Sequence, residues 1–593
     1  VKSLIQCDPL HTSRKDLRAD INTLVFRTEH EGLSFLTKTL PKLGKALDQG
    51  LMSGSFNLPR EFHHSHELAS IPAFMQEYFK LLFNELGELL DSASPDAVKH
   101  LRQVLYFAYK LETPYSVEDE ERVISNFIQT EQELEFGSDH RTSQVIENAA
   151  RITARIFEDF DPKDISPRHG PGAVATGERL DAKWDFSRLY RDIHQVFPYY
   201  DYFIVGKGRE LLDRLEWYKS LTRLDHGQAK VVLVPKDSRG PRLISCEPLE
   251  FQWIQQGLGR KLMSHLERNY FTKGQINFTF QKVNQRLAIE GSLLSGSWST
   301  IDLKEASDRV SLELVRAVFK DCPGILRALE ACRTTETKLP DGRILSLKKY
   351  APMGSALCFP VESYIFWVLM VSSEVSGGYK PSDSPYWSSI KRVGEKIYVY
   401  GDDIIIREDM ALRCIHHLER FALKVNVSKC CITGPFKESC GIDAFKGTVV
   451  TPLRLRKLWS GRVSDGTAYV AYVSLANALL QKGYKDTSDM IWEYLERVYG
   501  AIPYGTQNSS FPCRVISDPD EAERFNHARF RSRWNSRYQR LEFLVSNVLP
   551  KRKKSILNGW LRLTRDILMP QFGDPTDIVV PRSIRIKRGW AAV

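Results

Sequence analysis

Apolar residues recur along this chain with two periods, and the places where the period changes mark its elements. In PDAVKHLRQVLYFAYKLE (95–112), Val98, Leu101, Val104, Leu105 and Ala108 return every three or four residues, the spacing of one helix face. Residues 1 to about 155 read as mostly helical on this pattern. A loop-rich passage follows, with three glycines and two prolines in SPRHGPGAVATGE (166–178). Strands and helices then alternate from about 229 to 450. QAKVVLVPKDSRGPRLISCEP (228–248) reads as strand, polar turn and strand, and WSTID (298–302) as a short strand leading into a helix with Val310, Leu314, Ala317 and Val318 on one face. In APMGSALCFPVESYIFWVLMV (351–371) a Met-Gly-Ser loop precedes a helix carrying Leu357, Val361, Tyr364, Ile365 and Val368, with Pro360 tolerated in its first turn. KIYVYGDDIII (396–406) has the Gly-Asp turn and the Tyr- and Ile-rich flanks of a tight hairpin. A helix with Leu412, Ile415, Leu418 and Ala422 in register follows, then a lysine-bearing strand at VNVSKCC (425–431). This order predicts an α+β sheet with helices packed on one face. Beyond 450 the pattern is helical, broken by a loop at AIPYGTQNSSFPCRV (501–515) and ending in the basic segments PKRKKS (550–555) and RSIRIKRGW (582–590).

At 593 residues the chain exceeds one ordinary core, so three or four subdomains are expected. A net charge of +10 favours a polyanionic partner only where the charges cluster. The ten cysteines include no C-x-x-C pair, which indicates neither a zinc ribbon nor a disulfide scaffold and fits a reducing compartment. The N-terminal VKSLIQCDPLHTSRKDL has no signal-peptide core, and the longest apolar run, YIFWVLMV (364–371), is too short to span a bilayer, so a cytosolic protein away from membranes is expected. HHSHE (63–67) matches no usual metal-ligand spacing and reads as a surface loop.

The acids change this picture. Asp302 ends a strand, and Asp402 and Asp403 sit at a hairpin tip, so three carboxylates arise from two strands that can adjoin. Clustered without cations they would repel and raise one another's pKa; with two magnesium ions they can activate a hydroxyl and stabilise a leaving oxygen in phosphoryl transfer. Hard cations want such oxygen ligands, and manganese is the alternative. Lys230, Lys236, Arg239 and Arg242 gather on the 228–248 hairpin, where Arg can fork onto phosphate oxygens and Lys adds a point charge. Asp308 reads from its position as a charge in the first turn of a helix. The small-residue loop at Gly354 lets backbone approach a ligand closely.

Taken together, VPKDSRGPRLISCEP, VNQRLAIEGS, TIDLKEASDRVSL, PMGSALCFPVESYIF, YVYGDDIII and GPFKESCGIDAFKGTVVTP resemble, in order and spacing, the RNA-dependent RNA polymerases of the positive-sense RNA bacteriophages, the levivirus replicase catalytic subunits. The resemblance covers about residues 229 to 455. It implies a right-handed polymerase that copies an RNA template from ribonucleoside triphosphates, with an N-terminal helical region (1–155), fingers (156–290), a palm of antiparallel sheet and helices (291–450), and a thumb with a basic C-terminal region (451–593). It further implies that Asp302, Asp402 and Asp403 hold the metals. Lys236, Arg239 and Arg242 would face the triphosphate, and Asp308, with the Gly354–Ser355 loop beside it, would sense the ribose 2′-OH. Lys429 would protonate pyrophosphate, and the hairpin at 434–441 would support the growing primer end. Better-known members carry Met-Gly-Asn-Gly where this chain has Met353, Gly354, Ser355 and Ala356, so the amide that orients the sugar-sensing acid is missing. Family members work with host elongation factors Tu and Ts and a host ribosomal protein, in the cytoplasm of an infected bacterium.

Two other readings compete. A reverse transcriptase also presents paired aspartates on a hairpin, but would place a bulky side chain near the sugar, where this chain has Glu305, Ala306 and Asp308. A non-catalytic RNA-binding or assembly protein has no need to cluster anions where a polyanion must lie.

Overall fold

The alternation in IYVY and DIIIR folds as the pattern predicts. In a computed structural model of the chain, Ile397–Tyr400 and Asp403–Arg407 form an antiparallel hairpin, and Trp298–Ile301 pairs with its second strand, Ile301 opposite Ile404. The structure describes residues 1–593 except 9, 11–13, 67–68, 136, 138, 180–181, 204–210, 295, 376–383, 555–561, 564 and 567–576. Gly401 in the hairpin turn has φ 63°, and a Cβ there would lie 2.3 Å from the Phe359 ring, so the turn admits only glycine.

Side chains of this three-stranded sheet point alternately to two faces. Ile397, Val399, Ile404 and Ile406 enter the largest core together with residues of the helices Cys358–Val375 and Glu408–Arg420, while Trp298 and Ile405 pack with Leu287 and Ala288 of the helix Lys282–Leu293. The architecture is α+β as expected, but the sheet is covered on both faces rather than one. The continuous run Ile404-Ile405-Ile406 is what a strand buried on both sides requires.

Cys358–Val375 runs through the middle of that core. Its 18 residues are long and apolar enough to cross a membrane by composition, but here they are mostly buried in protein, and the Tyr364 hydroxyl donates to Thr153 Oγ1 at 2.8 Å. The helix after Asp302 is broken where one was expected: Ala306–Arg309 and Leu312–Val318 flank Val310, whose carbonyl accepts from Tyr350 N, while Ser311 Oγ caps the second helix at Leu314 N. The helix after the acidic hairpin, Glu408–Arg420, stops short of Ala422, which has φ 60°. The expected strand at 425–431 is instead a short 3-10 turn, Val427–Lys429, between single bridges of Val425 with Leu303 and Cys431 with Thr300.

A second core joins residues 4–107 to Phe436, Phe445, Tyr469, Leu479 and Leu495, so the two ends of the chain share one interior. Buried Arg102 ties this core to the hairpin Phe436–Ser439 and Ile442–Phe445. Its guanidinium pairs with Asp48 and, at 2.7 Å, with Asp443, and it lies 4.9 Å from the Phe436 ring centre. The helices Gly466–Gln481 and Lys485–Tyr499 follow as expected, but among the described residues the basic segments 550–554 and 582–590 are strand. Arg540–Lys554 and Asp577–Ala591 form a long antiparallel ribbon, its period of two visible in buried Phe543 and Val545. His63, His64 and His66 lie in an exposed loop, and Glu67 falls outside the described residues.

Candidate active site

The hairpin of Gln228–Asp237 and Gly240–Cys246 faces the acidic hairpin, and between them opens a cavity of about 800 Å³. Its walls include Asp302, Asp402, Asp308 and Lys429 together with Lys236, Arg239 and Arg242. Lys230 does not join them; it pairs with Cys246 and Lys338 within its own sheet.

Each acid is placed by its neighbours. Asp302 leaves the central strand, and its Oδ2 accepts from Asn426 Nδ2 at 2.7 Å and stands 3.3 Å from Lys429 Nζ. Asp402 sits in the turn with its surface open to the cavity, walled by protein; the loss of water raises its pKa, and the charge of Asp302 adds to this. Asp403 turns the other way, its Oδ1 accepting from Cys440 N at 3.1 Å, where the neighbouring hairpin bends through Cys440 and Gly441 at positive φ. Burial pushes its carboxyl up to about 6, against that amide and with the Asp402 charge assisting. Burial lowers the Lys429 pKa, but Asp302 and Glu438 more than offset this and keep the ammonium protonated.

The donor set is all carboxylate oxygen, the kind magnesium or manganese takes, and Asp302 and Asp402 share one cavity with Asp403 beside them in sequence. The residues fit such an ion. Among the described residues, however, no three acid, His or Cys groups stand together at ligating separation; Lys429, Asn426 and Cys440 meet the charges instead.

On the basic side Arg239 forks onto buried Asp237, Nε to Oδ1 at 3.1 Å and Nη2 to Oδ2 at 2.8 Å, and its guanidinium lies 5.1 Å from the Tyr109 ring centre. Lys236 N donates to Tyr115 Oη at 3.0 Å. Burial lowers the Lys236 pKa, with positive Arg242 contributing. Lys45, Lys110 and Arg454 also line the cavity, from segments whose patterns carried no chemical signal.

Gly354 and Ser355 do not line it. A Cβ on Gly354, φ 122°, would fall 2.1 Å from the Ser245 carbonyl, so this glycine serves the close approach of its loop to the basic hairpin, where Ser245 N donates to Met353 O. Ser355 is buried and its hydroxyl accepts from Leu357 N at 3.3 Å, in the turn before the helix Cys358–Val375; Met353 is the loop's residue on the cavity wall.

Residues 216–461 match the family described as RNA replicase, beta-chain. The chain is 34% identical over 322 residues to the RNA-directed RNA polymerase subunit beta of Qbeta virus (strain MX1), which covers 52% of this chain and 49% of that one. It is 31% identical over 317 residues to the RNA-directed RNA polymerase beta chain of Escherichia phage MS2, covering 48% and 54%, and 30% identical over 325 residues to that of Enterobacteria phage GA, covering 53% and 56%. The chain thus spans about half the length of the curated relatives it matches. The family match contains both hairpins and Asp302, Asp308, Asp402 and Asp403, whereas the cavity wall built from Lys45, Tyr109 and Phe127 lies before it.

Proposed function

We propose that this chain, similar through residues 216–461 to the RNA replicase beta-chain, is the catalytic subunit of an RNA-directed RNA polymerase that replicates a phage RNA genome. The observation that carries this is the lining of one cavity by Asp302 and Asp402 together with Lys236, Arg239 and Arg242. In the right-hand description the three-stranded sheet is the palm (291–450), the basic hairpin belongs to the fingers (156–290), and the C-terminal helices and ribbon form the thumb (451–593).

Arg242, Arg239 and Lys236 grip the triphosphate, the fork on Asp237 holding Arg239 in one orientation. Asp302, Asp402 and Asp403 are the residues that would hold magnesium. An ion held by these carboxylates would supply Lewis acidity toward the primer hydroxyl and the leaving oxygen. Lys429, kept protonated beside Asp302, gives a proton to departing pyrophosphate. Asp308 accepts from the ribose 2′-OH, and the hairpin Phe436–Phe445, locked by Arg102, supports the primer end. RNA template and product, ribonucleoside triphosphates, and host elongation factors Tu and Ts with a ribosomal protein are the partners, in the cytoplasm of an infected bacterium.

The test is template-directed ribonucleotide incorporation with magnesium, with and without a bacterial extract. Labelled product whose sequence complements the template is expected; RNA binding without incorporation under both conditions would return the chain to the class of binding proteins.

A further inference from the structure

Lys349 is a fully buried cation, and a buried charge persists only where partners replace its water. Its ammonium lies 2.9 Å from Asp308 Oδ1, 3.0 Å from Glu131 Oε1 and 3.6 Å from the centre of the Phe127 ring. Glu131 and Phe127 belong to the N-terminal helix Val117–Gln132, outside the segment that matches the replicase family. Glu131 is itself held fast, its Oε2 accepting from Lys348 N at 2.6 Å and Lys349 N at 3.3 Å. Of the two carboxylates on the lysine only Asp308 lines the cavity. With Oδ1 fixed by Lys349, its Oδ2 is the oxygen left for a ligand.

Two carboxylates and one ammonium leave the cluster one negative charge, so its open oxygen takes a hydrogen-bond donor and repels phosphate. Ser355, whose hydroxyl accepts from Leu357 N at 3.3 Å, is not among the groups on Lys349 or Asp308.

We propose that Lys349, anchored by Glu131 and Phe127, is the positioning residue that holds Asp308 for the ribose 2′-OH and thereby sets ribonucleotide selectivity. This rests on the polymerase reading above. The N-terminal helix thus completes a specificity element whose acid lies in the central region. Removing the ammonium leaves Asp308 free to rotate and Glu131 buried without its counter-charge. Removing the Glu131 charge alone makes the cluster neutral and its open oxygen a poorer acceptor.

The test is kcat/KM for matched ATP and dATP incorporation in wild type, Asp308→Ala, Lys349→Met, the double variant, Lys349→Arg and Glu131→Gln. Asp308→Ala and Lys349→Met should each narrow the ribo/deoxy ratio about tenfold. The double variant should be no narrower than Asp308→Ala, and Lys349→Arg should restore part of the ratio. Glu131→Gln should narrow it by a smaller factor, and it decides the matter if Lys349→Met does not fold. An unchanged ratio in Lys349→Met or Glu131→Gln, with both nucleotides slowed equally while Asp308→Ala narrows it, would make the lysine merely structural and overturn the proposal. An unchanged ratio in Asp308→Ala would instead remove Asp308 from sugar recognition and the proposal with it. Absence of incorporation by wild type would strike the polymerase reading itself.

Discussion

The two hairpins that face the cavity differ in charge and in what holds them. The acidic one is short and sealed in the core; Ile397, Val399, Ile404, Ile405 and Ile406 are all buried, and its Asp403 is fixed by a backbone amide of the neighbouring hairpin. The basic one has longer, partly exposed arms, and its tip is braced by the N-terminal region. Tyr115 holds Lys236 N, Arg122 Nη2 donates to the Arg239 carbonyl at 2.5 Å, and Ser238 Oγ donates to Thr37 O at 2.9 Å. On the proposed reading, the carboxylates that position the reacting atoms ride on a sheet whose apolar side chains are buried. The cations proposed to grip the triphosphate ride on an arm braced by a second region.

Breaking the acidic side should have the largest effect. Asp302→Asn keeps the shape and the contact with Asn426 but removes a cation ligand and the partner of Lys429, so nucleotide incorporation should fall by several powers of ten while RNA affinity, measured by filter binding, changes little. Loosening the basic side should cost less. Asp237→Asn removes the charge that forks Arg239, and the nucleotide KM should rise roughly fivefold, on the order of 1 kcal/mol, with template affinity unaltered.

The smallest effect concerns Glu362, buried on the central helix behind the acidic hairpin. Burial pushes its carboxyl up to about 8, and the negative charge of Asp402 adds to the shift. Between its ordinary pKa of 4.5 and about 8 the folded protein therefore binds more protons than the unfolded chain, so stability falls as pH rises through that window. Glu362→Gln, neutral at every pH, should flatten this fall. Denaturant midpoints at pH 5 and about 8 that decline equally in both proteins would show that Glu362 ionises normally.

Both hairpins could be read from the sequence because each is a local pattern: alternating apolar residues around Gly-Asp, and charged residues around a polar turn. Their meeting follows from chemistry rather than pattern: clustered carboxylates call for metal ions, a basic hairpin suits a triphosphate, and the family resemblance puts both at one site. What could not be read was set by distant contacts. Glu131 and Lys349 are 218 positions apart, and nothing in either segment marks them as a pair. The break at Val310 follows from a hydrogen bond to Tyr350, and the non-strand at 427–429 from a turn stabilised across to Asp302. The C-terminal ribbon was masked because its basic residues obscure an alternation that only the burial of Phe543 and Val545 makes plain.

The division of labour between the hairpins is tested most directly by kcat and KM for one matched ribonucleotide, measured side by side in Asp402→Asn and Arg242→Ala with RNA affinity as the control. Chemistry on the acidic side and grip on the basic side predict opposite signatures: a collapse of kcat in Asp402→Asn with RNA affinity kept, and a raised KM in Arg242→Ala with most of kcat retained. Asp402→Asn retaining a rate within a few-fold of wild type, or Arg242→Ala weakening template binding with nucleotide kinetics untouched, would contradict it.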